Sequence, residues 1–567
     1  MKQIQLDSYK STYFIENENY DMWLERVAKA YSTSSPMASR ITSYIRKNWF
    51  HPSTPPSANG GTDRGLPVSC YVSTVGDSKK DIFDSYNESF WLGSEGGGKG
   101  TEWSKVREIN APVGNKGKSS GIIPFIKVSD TASLAVSQGV IRRFSEAIWL
   151  DVSHPEIEEF INIRNPIGDI NRVCTNTHIG VTLSDEFMEK VEKNETFDLI
   201  SPKNQKVISS VKARELFIEI LEQREIHGEP MLMFKDNVNR EKPVEYVKLD
   251  LDITTSNLCS EILIHTSPER TGVCVLSSIN LEQWDEYKNN DEFWRDILEY
   301  TDNINTEFIY QSKDKIAFNK ARLVAEEERN LGIGVMGFHN YLLKNKIPFE
   351  SLTAKMVNKK IFSHMKRELE KAEKLLTNTK GSCELNIKAR EKNESIPRRR
   401  NIMITAIAPT TSISILSGNT SSGIEPLPAN CYSEKTKLGT YFQKNKYLEE
   451  DLEKLNMNTK EVWDTIMKND GSVQHLDIDV SLKELYKTAY EIDQRYVVEL
   501  ASDRQKYIDQ GQSINLFFSN ANTVRQMYDV HMLAWKKGIK TLYYCRTKSI
   551  FRANNKTIEE RECLYCQ

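Results

Sequence analysis

Asn257-Leu258-Cys259-Ser260-Glu261 opens the stretch 257–281, NLCSEILIHTSPERTGVCVLSSINL, on which the reading of the whole chain turns. It sets an amide, a thiol and a carboxylate at alternate positions. Alternate residues of extended or looped backbone share one face, so the three side chains can converge on one ligand. A carboxylate beside a thiol raises the thiol pKa, which disfavours an activated thiolate nucleophile. Two readings then stand. One is a buried inert cysteine, which burial statistics favour for an isolated Cys; the other is a thiol used in one-electron chemistry.

Outward from this stretch, short apolar runs alternate with helical segments. GIIPFIKV (121–128), HIGVTL (178–183), NIMITAIAP (401–409) and KTLYYC (540–545) have strand length and composition. Residues 156–163, 211–224 and 351–377 have helical periodicity. Such alternation predicts an α/β architecture. Nearer the start, 20–30 and 37–49 read as amphipathic helices, and PSTPPSANGGTDRG (52–65) as an ordered turn region or a linker. Asp77 reads as the N-cap of a helix over SKKDIFDSYNESFWL. GGGKG (96–100) reads as a structural turn, because no G-K-[ST] follows to make a Walker loop.

The bulk properties bound the answer. A chain of 567 residues can bury a large core, as one very large domain or several smaller ones. Hydrophobic residues at 39%, charged residues at 27% and a net charge of −3 are ordinary for a soluble globular protein. The two signs alternate finely, without the basic stripe that nucleic-acid binding needs. No apolar run is long enough for a bilayer, and residues 1–9 lack a signal-peptide core, so a cytoplasmic protein without membrane attachment is expected. The nine cysteines, an odd number scattered along the chain, do not read as a disulfide framework.

Three further constellations carry chemistry. Pro409-Thr410-Thr411-Ser412-Ile413-Ser414 follows the strand-like 401–408. Hydroxyls and backbone N–H groups at a strand-to-helix junction make a phosphate cradle, although an ordinary Thr/Ser N-cap would look the same. Tyr543-Tyr544 sits in a strand-like run, where cross-strand packing is the plain reading. Cys563-Leu564-Tyr565-Cys566 lies at the end of the chain, followed by Gln567. No second CxxC completes a zinc site, and a polar terminal stretch from 551 is expected to be a mobile tail suited to dithiol exchange.

NLCSEI, GVCVLSSINL and the Ser69-Cys70 pair beyond STPPSANGGT occur in order, and together they resemble the catalytic chain of the ribonucleotide reductases. The resemblance covers nearly the whole sequence, from Pro52 to the C-terminus. It implies a ten-stranded α/β barrel, two five-stranded parallel halves packed antiparallel, with Cys259 on a finger loop at the centre. It divides the chain into an abbreviated helical region (1–50), the barrel (51–550) and a redox tail (551–567). Cys259 matches the cysteine that becomes a thiyl radical and takes the substrate 3′-hydrogen. Glu261 matches the base for the 3′-hydroxyl proton, Asn257 the amide that bonds the ribose, and Cys70 with Cys274 the pair that supplies reducing equivalents. Pro409, Thr410, Thr411, Ser412 and Ile413 match the substrate diphosphate grip, followed by GIEP (423–426), while Thr54 and Ser69 match positions near base and ribose.

Tyr543 and Tyr544 resemble the stacked pair that relays a radical made on another protein, which implies a class I enzyme with a dimetal, ferritin-like partner subunit. Cys563 and Cys566 would then shuttle electrons from thioredoxin or glutaredoxin. Asp77 and Arg107 fall where effector residues are expected, for nucleoside triphosphates with Mg2+, and NPIGDIN (165–171) matches the loop that communicates with the site. A homodimer acting on ribonucleoside diphosphates is expected, with no cofactor or metal bound by this chain itself. Only residues 1–50 precede the substrate motifs, so the family's N-terminal ATP-cone is expected to be missing. The alternative is an adenosylcobalamin-dependent (class II) enzyme, against which the tyrosine pair argues. A non-catalytic nucleotide-binding homologue is disfavoured by the intact Asn257, Cys259, Glu261, Cys70 and Cys274.

Overall fold

In the computed structural model, which describes residues 3–115, 117–138, 142–435, 439–519 and 523–548, a short strand β1 (Phe50–Pro52) precedes five that run parallel. These are β2 (Cys70–Thr74), β3 (Gly98–Glu102), β4 (Ser145–Asp151), β5 (His178–Leu183) and β6 (Met231–Phe234). A second group begins with the parallel pair β7 (Gly272–Asn280) and β8 (Leu331–Met336). The N–H groups of Leu331 and Ile333 donate to the carbonyls of Met403 and Ile404, so residues 401–409 lie beside β8. Ile407 bridges Gln512 in parallel, and β9 (Leu516–Phe518) runs parallel to β11 (Cys545–Thr547), just beyond β10 (Thr541–Leu542). Two antiparallel seams join the groups, β2 to β7 and β6 to β10. Backbone hydrogen bonds therefore run round the whole ring. The expected barrel of two five-membered halves is the fold.

Period-two alternation sorts the strand side chains. Val72, Ala147, Trp149, Met231, Met233 and Cys274 face inward to one cluster. Their neighbours Tyr71, Ile148, Leu150, Leu232, Phe234 and Val273 face outward to the larger core beneath the helices. Trp23 and Leu24 of the helix Tyr20–Ala30 join that same outer core. Residues 251–266 carry no regular structure and thread the inner cluster as a finger, through Leu258, Cys259, Ile262, Leu263 and Ile264.

Two glycines make room for the finger. A Cβ on Gly100 would lie 1.9 Å from the Ser256 carbonyl oxygen, and one on Gly511 would lie 2.9 Å from that of Ser260. Both neighbours are backbone and cannot swing aside. The GGGKG segment is a turn only at its start, where Gly96 adopts φ 80°. From Gly98 it is strand β3, whose small inward residues admit the finger while Lys99 points out to Glu88 at 3.1 Å.

Other local expectations also shift. GIIPFIKV is not a strand but the start of the helix Ile123–Ser133, with Pro124 in its first turn, where a missing N–H costs nothing. Asp77 is not an N-cap. The Ser78 hydroxyl caps the helix Lys79–Ser94 by accepting from the Asp81 N–H at 3.0 Å. The 52–65 run is no linker, since it contains the buried helix Thr54–Asn59. HIGVTL is a strand as expected, and 351–377 is the N-cap Ser351 followed by most of the helix Leu352–Lys380.

Candidate active site

The finger turns at its tip, where Ser260 adopts φ 63°. Cys259 is 3% exposed and Glu261 1% exposed. The Ser513 hydroxyl fixes both, donating to the Cys259 carbonyl at 2.6 Å and lying 3.3 Å from a Glu261 carboxylate oxygen. The Asn257 side-chain Oδ1 accepts from the Ile262 N–H at 3.1 Å, and the same amide also hydrogen-bonds the Glu261 carboxyl. Burial pushes the Glu261 carboxyl up to about 7, against the opposing pull of those hydrogen bonds. A carboxyl poised there can take or return a proton at neutral pH. The amide, thiol and carboxylate spaced in the sequence do meet in space.

Cys70 and Cys274 are direct partners across the β2–β7 seam. Facing residues of an antiparallel pair have Cα atoms about 4.5–5.5 Å apart, inside the range a disulfide spans. Both are thiols. Cys274 is fully buried, and burial raises its pKa, while the Gln510 amide donates to its sulfur at 3.4 Å and works the other way. Gln510 also accepts from the Leu263 N–H at 3.0 Å, tying the Cys274 thiol to the finger.

Thr54, Ser69, Cys70, Glu261, Thr410 and Ile413, all singled out in the sequence, line one pocket together with Ser53, Ser277 and Ser278. Thr410 sits at φ 58° where residues 401–409 give way to the short helix Thr411–Leu416. Its hydroxyl accepts from the Gly423 N–H at 2.7 Å, so it pins the GIEP segment instead of capping the helix. Pro409, Thr411 and Ser412 flank it in the chain and do not line the pocket itself.

Tyr543 and Tyr544 are buried and packed ring on ring, with centroids 3.9 Å apart and planes at 34°. Tyr543 Oη lies 3.8 Å from Cys259 Sγ, towards which its hydroxyl donates. Tyr544 Oη lies 3.3 Å from His178 Nδ1, and the Arg546 guanidinium stands 4.7 Å from the Tyr544 ring centre. One unbroken set of contacts thus leads from Tyr544 to the finger thiol.

Sequence reading missed Ser513, Gln510 and His178. The signal for the first two was the polar alternation DQGQS at 509–513 beside an apolar strand; His178 opens a strand and gave none. Asp77 and Arg107 meet each other, with Arg107 Nε 2.9 Å from both Asp77 carboxylate oxygens. The 165–171 loop exposes Ile167 and Ile170 at 86% and 78%. Cys563 and Cys566 lie outside the described residues. Among those residues, no helix is long and apolar enough to cross a membrane.

The family model for the ribonucleotide reductase barrel domain matches residues 68–395 and 388–545. A large-subunit relative from Frog virus 3 (isolate Goorha) is 39% identical over 555 residues, covering 95% of this chain and 94% of its own length. The ribonucleoside-diphosphate reductase large subunit of Invertebrate iridescent virus 3 is 34% identical, with 99% of this chain and 97% of the relative covered. Among solved structures, the Actinobacillus ureae class Id ribonucleotide reductase alpha subunit superposes with a TM-score of 0.86 at 30% identity, over 97% of each chain.

Proposed function

Because the chain belongs to the ribonucleotide reductase family, we propose that it is the catalytic subunit of a class I ribonucleoside-diphosphate reductase, fed with a radical by a separate dimetal, ferritin-like subunit. The observation that carries this reading is the continuous contact Tyr544–Tyr543–Cys259, ending beside the pocket that holds Glu261 and Cys70. Each inward step moves one electron and one proton together. The outer phenoxyl takes a hydrogen atom from Tyr543, and the Tyr543 phenoxyl then takes one from Cys259, leaving a thiyl radical. That radical removes the 3′-hydrogen of the ribose, and Glu261 accepts the 3′-hydroxyl proton. The 2′-hydroxyl departs as water with one proton from the Cys70–Cys274 pair. The pair supplies the second hydrogen and two electrons and becomes a disulfide. Glu261 returns its proton, and Cys259 returns the 3′-hydrogen and regains the thiyl radical. The substrate diphosphate lies against the 409–413 segment, with base and ribose near Thr54 and Ser69.

Three further roles complete the proposal. Cys563 and Cys566 carry electrons from thioredoxin or glutaredoxin to the Cys70–Cys274 disulfide. Nucleoside triphosphates with Mg2+ act at Asp77, Arg107 and the 165–171 loop. A second copy of the chain docks on the face formed by Lys79–Ser94 and Ile123–Ser133, supported by the exposed Phe83, Trp91 and Val128 at 56%, 55% and 47%.

The deciding experiment is turnover of ribonucleoside diphosphates with candidate dimetal partners and thioredoxin, in parallel with adenosylcobalamin alone. Deoxynucleotide formation only with a partner supports class I. Formation with adenosylcobalamin and no partner replaces it with the cobalamin reading, for which the vitamin B12-dependent relative from Thermoplasma acidophilum, 31% identical over 516 residues, is the precedent.

A further inference from the structure

His178 faces the inside of the barrel from β5, where strand β6 presents Met231 and Met233. Its Nδ1 lies 2.5 Å from Glu229 Oε1, while Glu229 Oε2 accepts from the Ile179 N–H at 2.9 Å and lies 3.8 Å from the Arg164 guanidinium. His178 is 4% exposed and Glu229 3%. A buried charged network is costly to desolvate, and apolar side chains of similar volume often replace one without loss of stability. Packing alone therefore gives no reason for this pair. Its position does: the same Nδ1 stands 3.3 Å from Tyr544 Oη, at the outer end of the tyrosine pair.

We propose that the Glu229–His178 pair is a positioning device for radical relay, in which the imidazole Nδ1–H donates to the Tyr544 oxygen in both its phenol and its phenoxyl state. The proposal rests on the relay reading of Tyr543 and Tyr544. Burial works against the Glu229 charge, but Arg164 and His178 overcome it and hold the carboxyl down at about 2. A carboxylate has no hydrogen to give, so the one in the short His178–Glu229 contact belongs to Nδ1. That N–H lies between two acceptors, the Glu229 carboxylate and the Tyr544 phenol. With one lone pair of Oη occupied, the phenolic hydrogen turns away from His178.

Arg546 adds the complementary constraint. A guanidinium over the ring face is attracted to a neutral π-system and opposes a positive charge on it. Tyr544 therefore gives up its electron and its proton together to the oxidising radical of the partner subunit, and the neutral phenoxyl keeps its bond from His178. When the Tyr543 O–H then supplies one hydrogen atom, Tyr544 is restored as a phenol and Tyr543 holds the radical. His178 and Glu229 gain and lose nothing in either step.

The test compares wild type, His178→Leu, His178→Asn and Tyr544→Phe for partner-driven turnover and for substrate Kd. High-field electron paramagnetic resonance is then recorded on the radical trapped when Tyr544 is replaced by 3-aminotyrosine. Loss of one hydrogen bond to a reacting oxygen predicts a fall of about tenfold or more in His178→Leu, with Kd unchanged. His178→Asn, whose amide N–H can take the place of Nδ1–H, should recover to within roughly threefold of wild type. The gx component should rise in His178→Leu and return in His178→Asn, because a donated hydrogen bond lowers it. Wild-type turnover in His178→Leu, or an unmoved gx, overturns the proposal while leaving the relay intact. An active Tyr544→Phe overturns the relay itself. If His178→Leu fails to fold, the His178→Asn rate and its gx value decide alone.

Discussion

Burial sets the Glu261 carboxyl at about 7, so its charge changes within the range where enzymes are assayed. Its ionised fraction, the form able to accept the 3′-hydroxyl proton, grows as pH rises through that value. Turnover should therefore fall on the acid side of neutrality, and a flat profile between pH 5.5 and 8 would remove Glu261 from the base role. The stability sign runs the other way. A carboxyl whose folded pKa is raised favours the folded state at low pH and loses that contribution as pH rises through 7, where the folded chain must bury a charge. Glu261→Gln should thus lose about 10²–10⁴ in turnover and unfold at a higher temperature than wild type at pH 8. The gain is up to roughly 3 kcal/mol from the size of the shift. Tyr543→Phe separates chemistry from packing in the same way. Turnover with the partner should vanish, while the loss of one hydroxyl costs about 1 kcal/mol; near-normal turnover would make the tyrosine pair mere packing. The thiol, amide and carboxylate were legible in the sequence because they are neighbours within five residues. Ser513 and Gln510 were not, because they reach the finger across some 250 residues of chain.

Among the elements, β3 is the one whose sequence misleads. Gly98 and Gly100 resemble turn residues, since glycine lowers strand propensity. The close approach of the finger reverses that, because an inward side chain at 100 would collide with the backbone of Ser256 and Asn257. Gly100→Ala should lower stability by about 1–3 kcal/mol, as overpacking does, and should reduce turnover more than substrate affinity by displacing Asn257 and Cys259. A fully active Gly100→Ala of unchanged melting temperature would show that the finger has slack. The helix Ile123–Ser133 misled in the opposite sense. Its apolar start reads as a strand by composition, and periodicity cannot separate a short buried helix from a buried strand.

At the scale of the whole molecule, two predictions concern what the barrel must exchange with its surroundings. On the proposed function, replacing Cys563 and Cys566 with Ser should block repeated turnover driven by thioredoxin yet spare a single turnover by pre-reduced protein, because a reduced Cys70–Cys274 pair would hold one round of electrons. Unchanged thioredoxin-driven kinetics would show that the terminal cysteines are not the shuttle. Trp91→Glu places a charge on the exposed face of Lys79–Ser94 and should weaken self-association in sedimentation. Effector control of substrate choice should fall with it, if the dimer builds the effector site. An unchanged sedimentation coefficient would place the second copy elsewhere.

By itself the sequence determined the α/β class and the close spacing of Asn257, Cys259 and Glu261, and of Tyr543 and Tyr544, while it singled out Cys70 and Cys274 only through the family resemblance. The close groupings are local patterns, and local spacing fixes which side chains share a face. Only the tertiary structure decided that β2 meets β7 with Cys70 opposite Cys274, and that Tyr543 ends on Cys259. It also decided that a His–Glu pair stands beside Tyr544. These contacts join residues that are 51 to 366 positions apart. They follow from closing two parallel sheets along antiparallel seams round a single finger, and no short window of sequence holds both sides of such a seam.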